Sequence, residues 1–286
     1  MSLVCHRLFS NKLIFATVII VCSYLLLRAV ALYQNQPISL SGSYFTFNGK
    51  EVRYVCQGDG EPFVFFETGF GSDSEITWSY IVDKLPKAFT ACYYDRLGYG
   101  GSDDVPQTFT TDEKSQLQES VIQHIAGEKP VIIVAHSYGG IIARRTAARA
   151  QINLAALMFL DSAHENQHTI MRGKLDPISD SVKTWKYIDA ALGLSDIKNI
   201  FKEYDSATSK RLDQYYASFR FAHVLSTYRN EKGLYTPLED FNYDFGELRM
   251  LVLSHDSKVY AESPRFSQLA DYWPQMQKSI AELSDN

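Results

Sequence analysis

The sequence predicts an α/β protein with a mostly parallel central sheet that is flanked by helices. Short apolar segments such as Phe63–Glu67 and Leu154–Leu160 alternate along the chain with segments of helical periodicity. Strands that are apolar on both faces are typical of parallel sheets that helices cover on two sides. Glycine-rich or polar loops follow several of these strands, and ligands of such sheets bind at the carboxyl ends of the strands.

Local patterns predict the individual elements. Residues 44–47 and 51–56 alternate with period two around Asn48-Gly49, which predicts a β-hairpin. Thr110 and Glu113 form a capping-box pattern, which opens a helix that Gly127 ends. Further strands are predicted at 90–94, 130–135 and 248–253, and further helices at 76–85, 138–150 and 267–283.

The predicted organisation has an N-terminal hydrophobic helix, a linker and a core that a helical insertion interrupts. The insertion is rich in aromatic residues. The expected bounds are 1–33 for the hydrophobic helix, 34–43 for the linker, 44–165 and 244–286 for the two parts of the core, and 166–243 for the insertion.

The N-terminal segment predicts delivery of the remaining chain across a membrane. Arg7 and Lys12 precede an uncharged run over 13–27, which approaches the ~20 residues of a membrane span if Arg28 reaches the interface. The tripeptide 29–31, Ala-Val-Ala, would suit a signal peptidase, but Arg28 stands where a cleaved signal prefers a neutral residue. We therefore expect a single-pass signal anchor with the core on the non-cytoplasmic side; the alternative is a secreted or periplasmic chain after cleavage.

The composition limits the partners. A formal net charge of −5 at pH 7 and a pI near 5.8 argue against nucleic acid, because phosphates are bound by a basic surface. No cluster of His, Cys and carboxylate residues has the spacing of metal ligands, so we expect neither a metal nor another cofactor.

A nucleophile elbow is predicted around Ser137. The apolar strand pattern 130–135 stops at His136-Ser137, and a helical pattern begins at once. A strand that runs directly into a helix makes a sharp turn, which exposes the side chain at its apex. Small residues are needed two positions before and after the serine, and Ala135 and Gly139 supply them, although glycine is usual at the first position.

Four landmarks in order and spacing resemble the α/β-hydrolase fold family over about 44–286. They are Gly69-Phe70-Gly71, the Asp95-Arg96-x-Gly-x-Gly-x-Ser102 loop, His136-Ser137-Tyr138-Gly139-Gly140 and Leu160-Asp161. The resemblance implies a serine hydrolase that cleaves a carboxylic ester or related acyl bond of a small molecule, with the insertion as a helical lid. It also implies that the backbone N–H groups of Phe70 and Tyr138 form the oxyanion hole.

The resemblance leaves the acid and the base of the site open. Asp161 follows the sixth strand and Asp256 follows the seventh, and relatives use both positions for the acid; we favour Asp161. The base is expected on a loop after an eighth strand, whereas the last histidine here is His255. The chain is therefore expected to end before that loop, with His255 or His164 as a substitute base. The alternatives to an active hydrolase are a catalytically silent, membrane-anchored binding protein and a truncated hydrolase without its base.

Cys56 and Cys92 are expected on neighbouring strands of this fold. An exported chain could bridge them, but a disulfide between adjacent strands has demanding geometry. We therefore expect two buried thiols.

Overall fold

The computed structural model describes residues 2–35, 38–105, 107–170, 179–204, 206–230, 243–256, 258–262, 267 and 270–286. The strands are β1 Ser43–Phe47, β2 Lys50–Gln57, β3 Phe63–Glu67, β4 Thr90–Tyr94, β5 Val131–His136, β6 Leu154–Leu160 and β7 Arg249–Leu253. The helices are α1 Ser2–Gln34, α2 Ser74–Val82, α3 Thr111–Ala126, α4 Tyr138–Arg149, α5 Gln167–Ile170, α6 Asp180–Leu192, α7 Leu194–Asn199, α8 Ala207–Asn230, α9 Lys258–Ala261 and α10 Trp273–Ala281.

The strands form one sheet in the order β1-β2-β4-β3-β5-β6-β7. The β1–β2 and β2–β4 pairs are antiparallel, and all pairs from β4 to β7 are parallel, which confirms the predicted mostly parallel sheet. The predicted hairpin is confirmed as well. Phe47 pairs with Lys50 across Asn48 and Gly49, whose φ angles are 49° and 76°, as a tight hairpin turn requires.

Apolar residues cover both faces of the sheet. Phe65 of β3 belongs to one buried cluster with Leu117 of α3, whereas its neighbour Phe66 belongs to a second cluster with Trp78 of α2. Successive side chains of a strand point to opposite faces, so the two clusters lie on opposite sides of the sheet. The core therefore holds the strand ends in fixed positions relative to one another.

Two predicted helix ends can be compared with the structure. The capping box is confirmed, since the Glu113 N–H donates to Thr110 Oγ1 at 3.2 Å and the Thr110 N–H donates to Glu113 Oε2 at 2.8 Å. The last helix begins at Trp273 and not at 267, with Pro274 in its first turn, a position that needs no N–H donor. Residues 171–178 and 231–242 of the predicted insertion lie outside the described residues.

The expectation of two free thiols is wrong. Cys56 of β2 and Cys92 of β4 are directly opposed in an antiparallel pair and form a disulfide. Directly opposed residues of such a pair approach closely, and here the two Cα atoms are 4.1 Å apart. The register of the two strands therefore brings the sulfur atoms within bonding distance.

The chain divides into two compact units. The helical unit comprises Met1–Ser39 and Thr184–Phe221, and the sheet unit comprises Leu40–Lys183 and Ala222–Asn286. In the helical unit, the segment Lys12–Gln34 of α1 is long and apolar enough to cross a membrane. A membrane anchor and a signal sequence both meet this criterion.

Candidate active site

Ser137 lies at a sharp turn between the last residue of β5 and the first residue of α4. Its φ and ψ angles are 50° and −124°, a conformation that is uncommon for a residue other than glycine. Hydrogen bonds hold the turn: the Ser137 N–H donates to the Leu160 carbonyl, and the Ser137 carbonyl accepts from the N–H groups of Gly140 and Ala163. This is the geometry that the elbow prediction requires.

Small residues around Ser137 allow neighbouring backbones to approach. A Cβ atom on Gly139 would lie 2.7 Å from the Thr68 carbonyl oxygen, and one on Gly140 would lie 1.8 Å from Ser162 Oγ. Real Cβ atoms do not make such contacts, so both positions require glycine here. Ala135, the departure from the usual motif, is fully buried in β5, and the fold accommodates its methyl group.

Asp161 and His255 meet at the ends of β6 and β7. Asp161 Oδ1 lies 2.6 Å from His255 Nδ1, a distance typical of a strong, charge-assisted hydrogen bond. The His255 backbone N–H lies 3.3 Å from the same oxygen. Asp161 has a positive φ of 51°, and its own N–H donates to the Leu253 carbonyl at 2.7 Å. Backbone pairing between the two strand ends thus fixes the side-chain pair.

This contact assigns the two ring nitrogens of His255. A carboxylate only accepts hydrogen bonds, so Nδ1 carries the proton that it donates to Asp161, and Nε2 of the neutral ring is an acceptor. Nε2 is shielded from solvent and has no hydrogen-bond partner within the described part of the chain. The rings of Tyr260 and Trp273 lie against the imidazole, with centroids 4.3 Å and 5.9 Å away. Nε2 is therefore the nitrogen available to take a proton.

Asp256, the alternative acid, has a different environment. Its side chain is exposed, and Oδ1 accepts from the N–H of Lys258 at 2.9 Å at the start of α9. This is the contact of a residue that caps a short helix. Asp161 is accordingly the carboxylate that the structure brings to His255.

The N–H groups of Phe70 and Tyr138 are both open to a further acceptor. Tyr138 is the first residue of α4, and the first N–H groups of a helix have no acceptor within it. Neither N–H donates to another of the described residues. The two rings are in edge-to-face contact with centroids 6.0 Å apart, and a Cβ atom on Gly69 would lie 3.2 Å from Ser137 Cβ. Both donors therefore lie beside the elbow.

Comparison with known proteins agrees with this fold. The model of the alpha/beta hydrolase family matches residues 64–281, which is most of the chain. The chain belongs to the alpha/beta hydrolase family.

Individual relatives of this alpha/beta hydrolase are distant. It is 29% identical over 107 residues to the uncharacterized protein YqjL of Bacillus subtilis. The matched segment covers 37% of this chain and 42% of that protein. It is 30% identical over 150 residues to a proline iminopeptidase of Saccharolobus solfataricus, and the match covers 51% of this chain and 47% of that protein. An alpha/beta hydrolase enzyme from a Medee basin deep-sea metagenome library has a TM-score of 0.54 at 15% identity, covering 85% and 86%. The chain spans about half the length of these curated relatives, and the structural likeness shows the fold alone.

Other histidines of this alpha/beta hydrolase have local roles. His164 Nδ1 accepts from the Asn166 N–H at 2.9 Å, and burial lowers the pKa of His164. Burial also lowers the pKa of His136, against the opposing effect of Asp161, and His136 Nδ1 has no partner among the described residues. A Cβ atom on Gly69 would lie 3.0 Å from His136 Nδ1, so this ring supports the loop that carries Phe70.

A buried ion pair beneath that loop was not anticipated. Arg96 Nη1 lies 2.5 Å from Glu67 Oε1, and the same guanidinium donates to the carbonyls of Thr68 and Gly69 at 2.5 Å and 2.6 Å. Burial is the largest single effect and would lower the pKa of Arg96, but Glu67, Tyr99 and Tyr94 together outweigh it and the pKa is raised. A lone glutamate at the end of an otherwise apolar strand was the sequence signal for this pair.

Glu67 is also bound from its other oxygen. Tyr94 Oη donates to Glu67 Oε2 at 2.6 Å, and Gln118 Nε2 donates to it at 2.8 Å. Buried charges are tolerated when every polar atom has such partners. The network fixes the backbone immediately before Phe70.

A second buried charge lies beneath the elbow helix. Lys114 Nζ lies 3.5 Å from Tyr138 Oη and also donates to the Phe109 carbonyl. Burial lowers the pKa of Lys114 to about 7, with a further contribution from Arg96.

Within the described residues, no group of three or more His, Cys, Asp or Glu side chains is placed to hold a metal ion.

Proposed function

We propose that the chain is a serine hydrolase that cleaves a carboxylic ester or a related acyl bond. Ser137 is the nucleophile, His255 the general base and Asp161 the acid that orients it. The observation that carries the proposal is the Asp161–His255 pair, whose Nε2 is buried and unpartnered within the described residues. The three residues follow β5, β6 and β7, which are neighbours in the sheet, and their order along the chain is serine, acid, histidine, as in this fold.

The proposed reaction follows from these roles. Ser137 Oγ attacks the acyl carbon while His255 Nε2 takes the hydroxyl proton, and Asp161 stabilises the resulting imidazolium. The negative oxygen of the tetrahedral intermediate accepts from the N–H groups of Phe70 and Tyr138, each such donor being worth about 3 kcal/mol. His255 then gives its proton to the leaving group, and water hydrolyses the acyl-enzyme by the same steps.

One observation supports a second candidate function. No hydrogen bond joins the Ser137 hydroxyl to a histidine within the described part of the chain. Such contacts are often long in a protein without substrate and tighten in the complex. They are also missing in a catalytically silent protein that binds its ligand at a preserved elbow.

The N-terminal segment supports a membrane-anchored hydrolase with the sheet unit on the non-cytoplasmic side. The segment Lys12–Gln34 is long enough to span a bilayer. The Cys56–Cys92 disulfide favours an oxidising compartment for the sheet unit. Lys12, at the other end of the span, favours the cytoplasm because loops on that side carry an excess of Lys and Arg.

Labelling by a fluorophosphonate probe tests the proposed chemistry. The full chain should become covalently labelled, and Ser137→Ala should abolish the label because the probe reacts only with an activated serine hydroxyl. His255→Gln should reduce labelling strongly, whereas His164→Gln, a matched change at another strand end, should leave it intact. A folded native chain that is not labelled would support the silent binding protein.

Turnover of graded substrates tests the bond that is cleaved. A series of p-nitrophenyl esters of increasing acyl length reports esterase activity. An arylamide of proline, in which proline is the N-terminal residue, reports removal of N-terminal proline. The second substrate is included because one relative is named a proline iminopeptidase. We expect the esters to be hydrolysed, with no turnover in Ser137→Ala.

A further inference from the structure

The helical unit exposes an apolar stripe along α6. Trp185, Ile188 and Leu192 have exposed fractions of 58%, 41% and 43% and follow one another at spacings of three and four residues. This spacing places the three side chains on one face of the helix. A contiguous exposed apolar face indicates contact with a partner or a membrane, whereas single exposed apolar residues are ordinary.

The stripe lies beside the membrane-span candidate. Tyr24 Oη of α1 donates to the carbonyl of Leu192 at 2.9 Å. Tyr24 is ten residues before Gln34, the last residue of α1, which corresponds to about 15 Å along a helix. The end of α6 is therefore level with the turn of α1 that precedes Arg28, the residue expected at the membrane interface, and not with the residues that follow α1.

Arg28, one helical turn after Tyr24, also contacts this part of the helical unit. Arg28 Nη1 forms an ion pair with Asp196 Oδ2 of α7 at 3.1 Å, and the Asp196 side chain is almost fully buried. A single charge is costly inside a bilayer, but pairing reduces this cost. The sequence predicts that Arg28 extends to the interface by itself, whereas the structure gives it an acidic partner from the α6–α7 corner, where Gly193 packs against its guanidinium.

We propose that the α6 stripe inserts into the interfacial layer of the same bilayer that α1 spans. Tryptophan is enriched at this depth because it has both an apolar ring and a polar N–H. An amphipathic helix lies in this layer with its apolar face towards the acyl chains. The inference rests on the proposed anchoring by α1 and is independent of the chemistry of Ser137.

These contacts require that the N-terminal segment stays uncleaved. Cleavage after Ala31 would remove Tyr24 and Arg28 and so break the Arg28–Asp196 ion pair. Loss of one partner of a buried pair is strongly destabilising. Ala31 itself is fully buried in the helical unit. We therefore expect the α6 stripe to insert into the bilayer interface in the uncleaved chain.

Tryptophan quenching by lipid tests the stripe. The full chain is reconstituted in phosphatidylcholine vesicles that contain lipids brominated near the headgroup end of the acyl chains. Trp185 should be quenched by the bromolipid, and Trp185→Phe should lose that quenching, because Trp78 and Trp273 are only 2% and 7% exposed. Flotation of the vesicles on a density gradient reports anchoring separately.

Two matched variants control for position on α6. In the Trp185→Phe background, Ile188→Trp returns a tryptophan to the stripe and should restore quenching. Lys186→Trp places one at an exposed position away from the stripe and should restore much less. A chain that floats but shows equal quenching with and without Trp185 overturns the stripe and leaves the anchor intact.

Other outcomes also decide the proposal. A folded chain that does not float overturns the anchor and the stripe together. Protection of Trp185 from both bromolipid and aqueous iodide also overturns the proposal, because the stripe is then covered by protein, such as a second copy of the chain. Fluorophosphonate labelling in detergent is unaffected by all of these results, so failure of the proposed chemistry is read separately.

Discussion

Trp273 donates a hydrogen bond from Nε1 to Asp161 Oδ1 at 2.7 Å, and this is the oxygen that His255 Nδ1 contacts at 2.6 Å. One carboxylate oxygen is therefore held between the indole of α10 and the proposed base. Asp161 is thus held from α10 as well as from the end of β7. Since geometry must be correct before proton transfer is efficient, both contacts to this oxygen should affect the rate of the proposed reaction.

Asp161→Asn should lower the rate of fluorophosphonate labelling by about ten-thousandfold, because an amide can stabilise the wrong tautomer of the histidine. Asp256→Asn is the matched control and should leave the rate unchanged, since the Asp256 side chain caps the start of α9. The second-order labelling rates of the two variants measure this difference. Equal losses in both variants would contradict the assignment of Asp161.

Trp273→Phe should lower the labelling rate by about tenfold to a hundredfold, because a hydrogen bond to a charged acceptor is worth about 1.5–3 kcal/mol. The phenyl ring keeps part of the packing against Tyr260, so the fold should survive. Trp185→Phe, the same change at an exposed position of the helical unit, should leave the rate in detergent unchanged. A normal rate in Trp273→Phe would show that Asp161 needs no such support.

Arg96→Lys should lower kcat for an ester by about tenfold to a hundredfold, with little change in KM, because it affects a proposed oxyanion donor, and such donors are worth about 3 kcal/mol. Lysine keeps a positive charge beside Glu67 but lacks the planar fork that binds the carbonyls of both Thr68 and Gly69. Phe70, directly after them, then loses its fixed position.

The control for Arg96→Lys is Arg53→Lys. Arg53 is an equally buried arginine that pairs with Asp95 and Glu75. Both variants should lower the melting temperature, and only Arg96→Lys should also lower kcat. Parallel losses of kcat in the two variants would mean that the effect is a general loss of stability.

Lys114→Met should remove a pH dependence of stability. The pKa of Lys114 is lowered to about 7 from an ordinary value of 10.5, so the unfolded chain binds more protons than the folded chain between these values. Stability of the native chain should therefore rise with pH, by about 2 kcal/mol from pH 7 to pH 9. Urea unfolding at both pH values should show this rise in the native chain and its loss in Lys114→Met. The same rise in both proteins would assign it to another group.

Local patterns were sufficient to predict the sheet and the sharp strand-to-helix turn at Ser137. Apolar runs, turn residues and the capping box depend on neighbours in the sequence, and the Ser137 turn follows from a strand that runs directly into a helix. The family resemblance added the prediction that the N–H groups of Phe70 and Tyr138 form the oxyanion hole. These parts of the site are encoded over a few residues each.

The remaining parts depend on contacts between distant segments. Sequence reasoning named His255 only as a substitute base, because the resemblance places the base after an eighth strand. The contact with Asp161 arises from the register of β6 and β7, in which Leu160 pairs with Leu253. The register between β2 and β4 likewise places Cys56 opposite Cys92 and so produces the disulfide that the sequence did not predict. The periodicity of one strand carries no information about its register with another.

The backbone at Ser137 sets a limit on engineering this fold for heat resistance. Among the described residues, only Asn48, Ser137, Ala150 and Asp161 combine a side chain with a positive φ, and such strain costs about 1–3 kcal/mol at each site. Glycine would relieve it, and a screen for higher melting temperature would favour glycine at all four positions. At two of them the proposed nucleophile and acid would be lost. A selection for stability alone would thus convert a hydrolase of this design into an inert scaffold.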